Sequence, residues 1–307
     1  MSGPAVLRLE EMSTPALEAL DRGRTVVILT VSPLETHGPH LPVGVDAFNA
    51  RHLAEALAER LVADRPGWSV VLAPTLYLGA FTFEAIGTVT VRQRAVRDVV
   101  VDYGAALARA GFRYILVSNG HAGPGHLVAL DEAAARVSRR HGVTMTSFSG
   151  HLAWEFLRGR YLDRVQAALG RPLSAEERGA FANDLHGGFW ETSMMLWLRP
   201  DLVDLGYRTL PPARYSLAQR LRPNYALEGG GRGYVGHPAL ADPAFARATS
   251  EVLVSEAMAL VRDALDGRPG ARRRSPFFHV PVFRTNFWRA VGVAAAVAGA
   301  AGWWAVR

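Results

Sequence analysis

A chain of 307 residues, 49% hydrophobic and 20% charged, holds enough apolar material for one large buried core, which excludes disorder as its main state. It has no cysteine, so disulfides, thiolate metal sites and thiol nucleophiles are excluded, and no lysine, which removes Schiff-base chemistry and a phosphate-loop lysine. The formal charge of +6 belongs to the end of the chain. Residues 267–307 carry seven arginines and no acid, which leaves 27 arginines against 28 acids in residues 1–266, so the body has no electrostatic reason to bind nucleic acid.

The opening stretch, MSGPAVLRLEEMSTP, contains acids and no long apolar run, so no export signal is expected and the body is placed in the cytoplasm. A first strand is predicted at Thr25–Val31 (TVVILTV), followed directly by LETHGPHLPVGVD, residues 34–46. Glu35 and His37 are two residues apart and project the same way from an extended backbone. Turns at Gly38–Pro39 and Pro42–Gly44 let Asp46 return, so three metal-type ligands can converge; the alternative is a solvated polar loop. A helix over Ala47–Ala63, a strand at Ser69–Pro74, a helix over Arg94–Ala110 and a strand at Tyr114–Ser118 follow.

The segment SNGHAGPGH, residues 118–126, closes that strand and opens the next helix, Gly125–His141. Its glycines permit tight turns, and the helix-start amides offer hydrogen bonds to a developing anion. His126 reads as an early helix residue, with a supporting role at a site as the alternative. A strand at Val143–Phe148 completes an alternation that predicts a three-layer α/β/α fold with a largely parallel sheet. In such sheets sites form just outside the carboxyl ends of the strands, where both Glu35 and His121 fall.

Residues 158–183 form a polar helical pair with Gly170 and Pro172 between, read as an insertion or an oligomer contact. NDLHGGFWETSMML, residues 183–196, then places His186 and Glu191 five apart around two glycines, ahead of an apolar helix over Phe189–Leu198. A loop histidine and a dipole-favoured acid would explain the pair, but a carboxylate heading a buried helix needs a partner, and a metal ion supplies one. Residues 209–238 are rich in Pro and Gly and read as a long functional loop. Gly231-x-Gly233-x-x-Gly236 matches a dinucleotide fingerprint only formally, because no strand precedes it and Pro238 follows; no Gly-x-Ser-x-Gly elbow is present.

A final body helix is expected at Pro243–Leu265, then an Arg-rich linker over residues 267–289. Seventeen uncharged residues, 290–306, would span roughly 25 Å as a helix, the lower limit for a bilayer. With Arg289 and Arg307 at its ends and Trp303 and Trp304 near one of them, this hydrophobic C-terminal helix reads as a membrane anchor holding the body at the cytoplasmic face, or as a helix packed on protein.

In order, ETHGPHLPVGVD, GTVT at Gly87–Thr90, NGHAG, HGGFWETSMML and GYVGHP resemble the creatininase (creatinine amidohydrolase) family over about residues 20–260. The resemblance implies an amidohydrolase domain over residues 1–266 with two divalent metal ions per chain (Zn, Mn or Fe), a small-molecule amide substrate and a homo-oligomer, often a hexamer. It implies that Glu35, Asp46 and His121 hold one ion and that His37 and Asp46 hold the other, with Asp46 bridging. Glu191 matches a further ligand of the catalytic centre, and His186 matches the histidine that handles protons. Three positions depart from the pattern: Gly123 where creatininase has a glutamate, Phe189 where many members have an acid, and His237 where many have Asp. They point to a specialised branch. The implied reaction is hydrolysis of a cyclic or open amide C–N bond by a metal-activated water. The alternatives are a deformylase or peptidase of cofactor biosynthesis, acting on a formamidopyrimidine nucleotide or a mycofactocin-type peptide, and a catalytically silent, membrane-tethered scaffold. The completeness of the ligand set argues against the scaffold.

Overall fold

The computed structural model describes residues 5–268 and 273–305. Its centre is β2 (Thr25–Ser32), a run of β-branched and apolar residues in which every position is buried. Such a strand lacks the polar face of a half-exposed one and fits only where both sides of the sheet are covered. β1 (Val6–Arg8), β3 (Ser69–Leu72), β5 (Tyr114–Ser118) and β6 (Thr144–Ser147) join it, all parallel, in the order β1-β3-β2-β5-β6. The two-residue β4 (Leu76–Tyr77) pairs with the end of β2. The strand expected at residues 69–74 stops at Leu72, two residues before Pro74, whose nitrogen has no hydrogen to donate to a ladder.

Alternation along β2 divides the core into two layers. Val27, Leu29 and Val31 pack with Val96 and Val100 of α3 (Gln93–Arg109) and Ala129, Leu130 and Val137 of α4 (Pro124–His141). Val26 and Ile28 face the other way, toward Leu57 and Leu61 of α2 (Val45–Asp64) and Met258 and Val261 of α10 (Pro243–Leu265). A short α1 (Thr14–Glu18) precedes β2. The chain therefore has the expected three layers, and cutting Ile28 to alanine would cost about 2–5 kcal/mol.

The strand order has a consequence for function. The chain leaves β2 toward β3 on one side and later returns to β5 on the other, so the connections after β2 and β5 diverge and open a crevice between them. After β6 come α5 (Ser149–Leu157), α6 (Leu162–Leu169) and α7 (Ala175–Ala182), then α8 (Phe189–Leu198). The helices expected over residues 158–183 form, and they bury Val165, Leu173 and Phe181 against Phe189 and Phe245. Residues 209–238 contain a single turn of α-helix, α9 (Leu217–Arg220), among loops and 3-10 turns.

Beyond α10 the basic stretch lies against the body. The Ser275 amide donates to buried Asp131 of α4, Arg284 pairs with Glu132 and stacks over Phe278, and Gln93 of α3 donates to the Phe283 carbonyl. The C-terminal helix forms as α11 (Phe287–Ala305), with Val291, Val293 and Val297 exposed. Among the described residues no helix is long and apolar enough to cross a membrane. The anchor expected over residues 290–306 is corrected accordingly: alanine and glycine fill the stretch and carry little apolar surface per residue. Val306 and Arg307 lie outside the described residues.

Candidate metal centre

Glu35 and His37 leave the carboxyl end of β2, and His121 leaves that of β5. These strands are neighbours, with Thr30 opposite Ser118, so the two loops start side by side. Ser32 ties them together: its hydroxyl accepts from the Gly120 amide at 2.9 Å and donates to Asn119 Oδ1 at 3.1 Å. Asn119 then brackets His121, accepting from its amide at 3.0 Å and donating to its carbonyl at 2.6 Å. Gly120 is required by contact, since a Cβ there would collide with the Asp46 carbonyl. Asp46 itself sits in the first turn of α2, which begins two residues earlier than expected.

The other two residues arrive from the far half of the chain. His186 exchanges backbone hydrogen bonds with Val235, so the GYVGHP segment serves as a brace for the histidine turn. Asp184 accepts the amides of Phe189 and Trp190 and thereby starts α8, which carries Glu191. Thr88, from the GTVT stretch, accepts the Thr36 amide at 3.0 Å and holds the Glu35–His37 segment extended.

All six side chains are buried and converge. His121 Nδ1 lies 3.0 Å from Glu35 Oε2 and 3.3 Å from Asp46 Oδ2. His37 Nε2 lies 3.3 Å from Asp46 Oδ1 and 3.6 Å from Glu191 Oε2. Asp46 thus turns one oxygen to each imidazole. The sets Glu35/Asp46/His121 and His37/Asp46/Glu191 each bring three ligand atoms within 4.8 Å of one another, and Glu35, His37 and His186 form a third such set.

The tautomers follow from the backbone. His37 Nδ1 is 2.9 Å from the Glu35 carbonyl and His121 Nε2 is 3.1 Å from the Ala80 carbonyl. A carbonyl only accepts, so those nitrogens carry hydrogen, and in the neutral ring the opposite nitrogen faces the carboxylates with a lone pair. A lone pair aimed at a carboxylate is repulsive unless a proton or a cation stands between. Glu35 Oε2, Asp46 Oδ2 and His37 Nε2 are buried without a hydrogen-bond partner among the described residues, as a cation site requires. Burial works against a charged imidazolium at both rings, yet the carboxylates overcome it and push His37 and His121 well above the ordinary imidazole range. Burial also opposes ionisation of Asp46, and the two imidazoles reverse that, holding it well below the usual carboxylate range.

His186 differs. Its Nε2 donates to the Thr36 carbonyl at 2.6 Å, and burial together with nearby His37 lowers its basicity, so it stands neutral with Nδ1 free to take a proton. The Phe83 ring packs edge-on against it. Phe83 also donates its amide to Glu35 Oε1 at 2.6 Å. This loop, which includes the Ala80 carbonyl and Phe81 at a left-handed φ of 63°, escaped sequence reasoning because it contributes backbone groups, which leave no residue signature.

The three departures have structural explanations or placements. A Cβ at Gly123 would collide with the His121 ring and lie 2.9 Å from the Phe81 carbonyl oxygen, so the loop has no room for a glutamate; Glu191 stands beside His37 and Asp46 instead. Phe189 is fully buried and stacks on Phe245, a packing role. His237 lies outside the cluster, at the start of a 3-10 turn. His126, in the first turn of α4, is also fully buried; its Nε2 lies 3.0 Å from Asn119 Oδ1 and its ring meets His121 edge-on.

Comparison with known proteins identifies the family. The family model for creatininase (creatinine amidohydrolase) matches residues 10–261. The chain is 28% identical over 201 residues to the mycofactocin precursor peptide peptidase of Mycobacterium ulcerans (strain Agy99), covering 64% of this chain and 67% of that protein. It is 30% identical over 192 residues to the creatinine amidohydrolase of Pseudomonas putida, covering 60% and 68%. A solved manganese creatininase superposes with a TM-score of 0.64 at 23% identity, over 85% of this chain and 99% of the other, a likeness of fold. The match over nearly the whole body places the chain in the creatininase family, whose members are hydrolases acting on amide carbon–nitrogen bonds.

Proposed function

We propose that the protein hydrolyses an amide with the help of two divalent ions, Zn, Mn or Fe, held by five residues of its buried cluster. The observation that carries this reading is the shared Asp46, whose two oxygens face two imidazole nitrogens. One ion would be held by Glu35, Asp46 and His121, the other by His37, Asp46 and Glu191, an oxygen and imidazole donor set suited to those metals. When bound, such a pair supplies Lewis acidity toward the amide carbonyl and lowers the pKa of water toward neutrality.

The chain's own residues do the rest. The Glu35 and Ala80 carbonyls orient the two imidazoles. His186, neutral and with Nδ1 free, takes a proton from the attacking water and delivers it to the leaving nitrogen, a step worth about 10²–10⁴-fold. Family resemblance supports a homo-oligomer and a small amide substrate. The peptidase reading is the second one, favoured by the lining of the cleft described below.

Elemental analysis of the purified full chain tests the proposal. About two ions per chain are expected, with turnover of a panel of cyclic amides, formamides and short peptides lost on chelation and restored by Zn²⁺, Mn²⁺ or Fe²⁺. A chain that binds none of the three metals would overturn the reading and favour the scaffold.

A further inference from the structure

Beside the cluster lies a cleft of about 670 Å³, including its open mouth, whose wall contains His121, His186 and Glu191. The rest of that wall is largely apolar, built from Leu53 of α2, Leu152, Ala153 and Phe156 of α5, Trp190 of α8 and Leu253 of α10. Its other polar members are already engaged with the protein. Ser149 accepts the Asn119 amide at 3.0 Å, Asn119 brackets His121, and Asp184 accepts the amides of Phe189 and Trp190. Trp190 keeps one unmet group, an indole N–H that is buried without a partner among the described residues.

A charged or multiply polar substituent entering the apolar part of this cleft would lose its water and find no compensating partner, whereas an apolar one gains by burial. The geometry points to a substrate class: amides bearing an apolar side group of leucine or phenylalanine size, seated against Phe156, Trp190 and Leu253, with the scissile bond at the cluster. This rests on the amidohydrolase reading and refines it. A peptide with an apolar residue places that residue among these side chains.

The test compares acetyl-phenylalanine amide with acetyl-glycine amide on the metal-loaded full chain. A preference for the phenylalanine amide of at least about tenfold in kcat/KM is expected, in line with hydrophobic-pocket discrimination. Ala153→Phe fills the cleft and should bring that ratio close to one with ion content retained; Ala153→Leu, a smaller filling, should lower it less and serves if the first variant misfolds. Calorimetry with phenylacetamide reads the cleft without turnover: binding to the wild type that Ala153→Phe or Ala153→Leu weakens at least about fivefold supports the assignment even if neither amide is hydrolysed, so a failure of the hydrolase reading remains distinguishable. Equal turnover of the two amides, a ratio untouched in a folded variant, or no phenylacetamide binding would overturn it.

Discussion

Two buried carboxylates on either side of the sheet behave in opposite ways. Asp46, 1% exposed at the start of α2, is held ionised because two imidazoles face it, one at each oxygen. Asp131, 4% exposed on α4, has burial pushing its carboxyl up to about 8, against the Ser275 amide and the guanidiniums of Arg274 and Arg284. Burial by itself neutralises a carboxyl group, and only a constructed set of partners keeps one charged. The difference separates a candidate cation site from a structural contact that fastens the basic C-terminal stretch to the body.

Removing the shared residue breaks the comparison most severely. Asp46→Ala should lose both ions and all measurable turnover; a variant that still carries two ions per chain would end the bridging role. Glu191→Gln keeps the shape and removes one charge, and the expected outcome is one ion per chain in place of two, counted by elemental analysis. Two ions in that variant would show that another group completes the second set. His186→Ala should keep both ions and lose about 10²–10⁴-fold in kcat. If its metal content collapsed as well, the third set, Glu35/His37/His186, would be a ligand set in its own right.

The smallest effect is expected at Asp131, and it concerns stability. A folded-state pKa of about 8, above the unfolded carboxylate value, means the native protein keeps a proton that the unfolded chain releases between about pH 4 and pH 8. The contribution is therefore complete below that window and fades as pH rises through it. Asp131→Asn, which stays neutral, should flatten this part of the stability profile; urea unfolding at pH 6 and pH 8.5 measures it. An unchanged slope would show that Arg284 and Arg274 already keep Asp131 ionised.

The legible parts of the site were those whose chemistry sits in a short span. Glu35 and His37 share a face by their spacing, and Asp46 returns through two turns that proline and glycine announce. The expected helices of residues 158–183 formed as well, but the role of one of their neighbours did not follow from sequence: Phe189 is a packing residue because it stacks on Phe245, which lies 56 positions away. Gly123 was likewise readable only as a missing glutamate. The reason for it is a collision with the His121 ring, which depends on how the loop after β5 folds over the loop at Ala80.

What the sequence determined by itself is local: strands buried on both faces, loops at their carboxyl ends, and the ligand-type residues those loops carry. Periodicity and spacing suffice there because each feature lies within a few residues along the chain. What only the tertiary structure decided is the partnership of groups far apart: Glu191 with His37 and Asp46, the backbone carbonyls that select the imidazole tautomers, and the apolar cleft assembled from four helices. Those depend on packing between distant segments, where a one-turn change in a helix would place a different side chain in the wall.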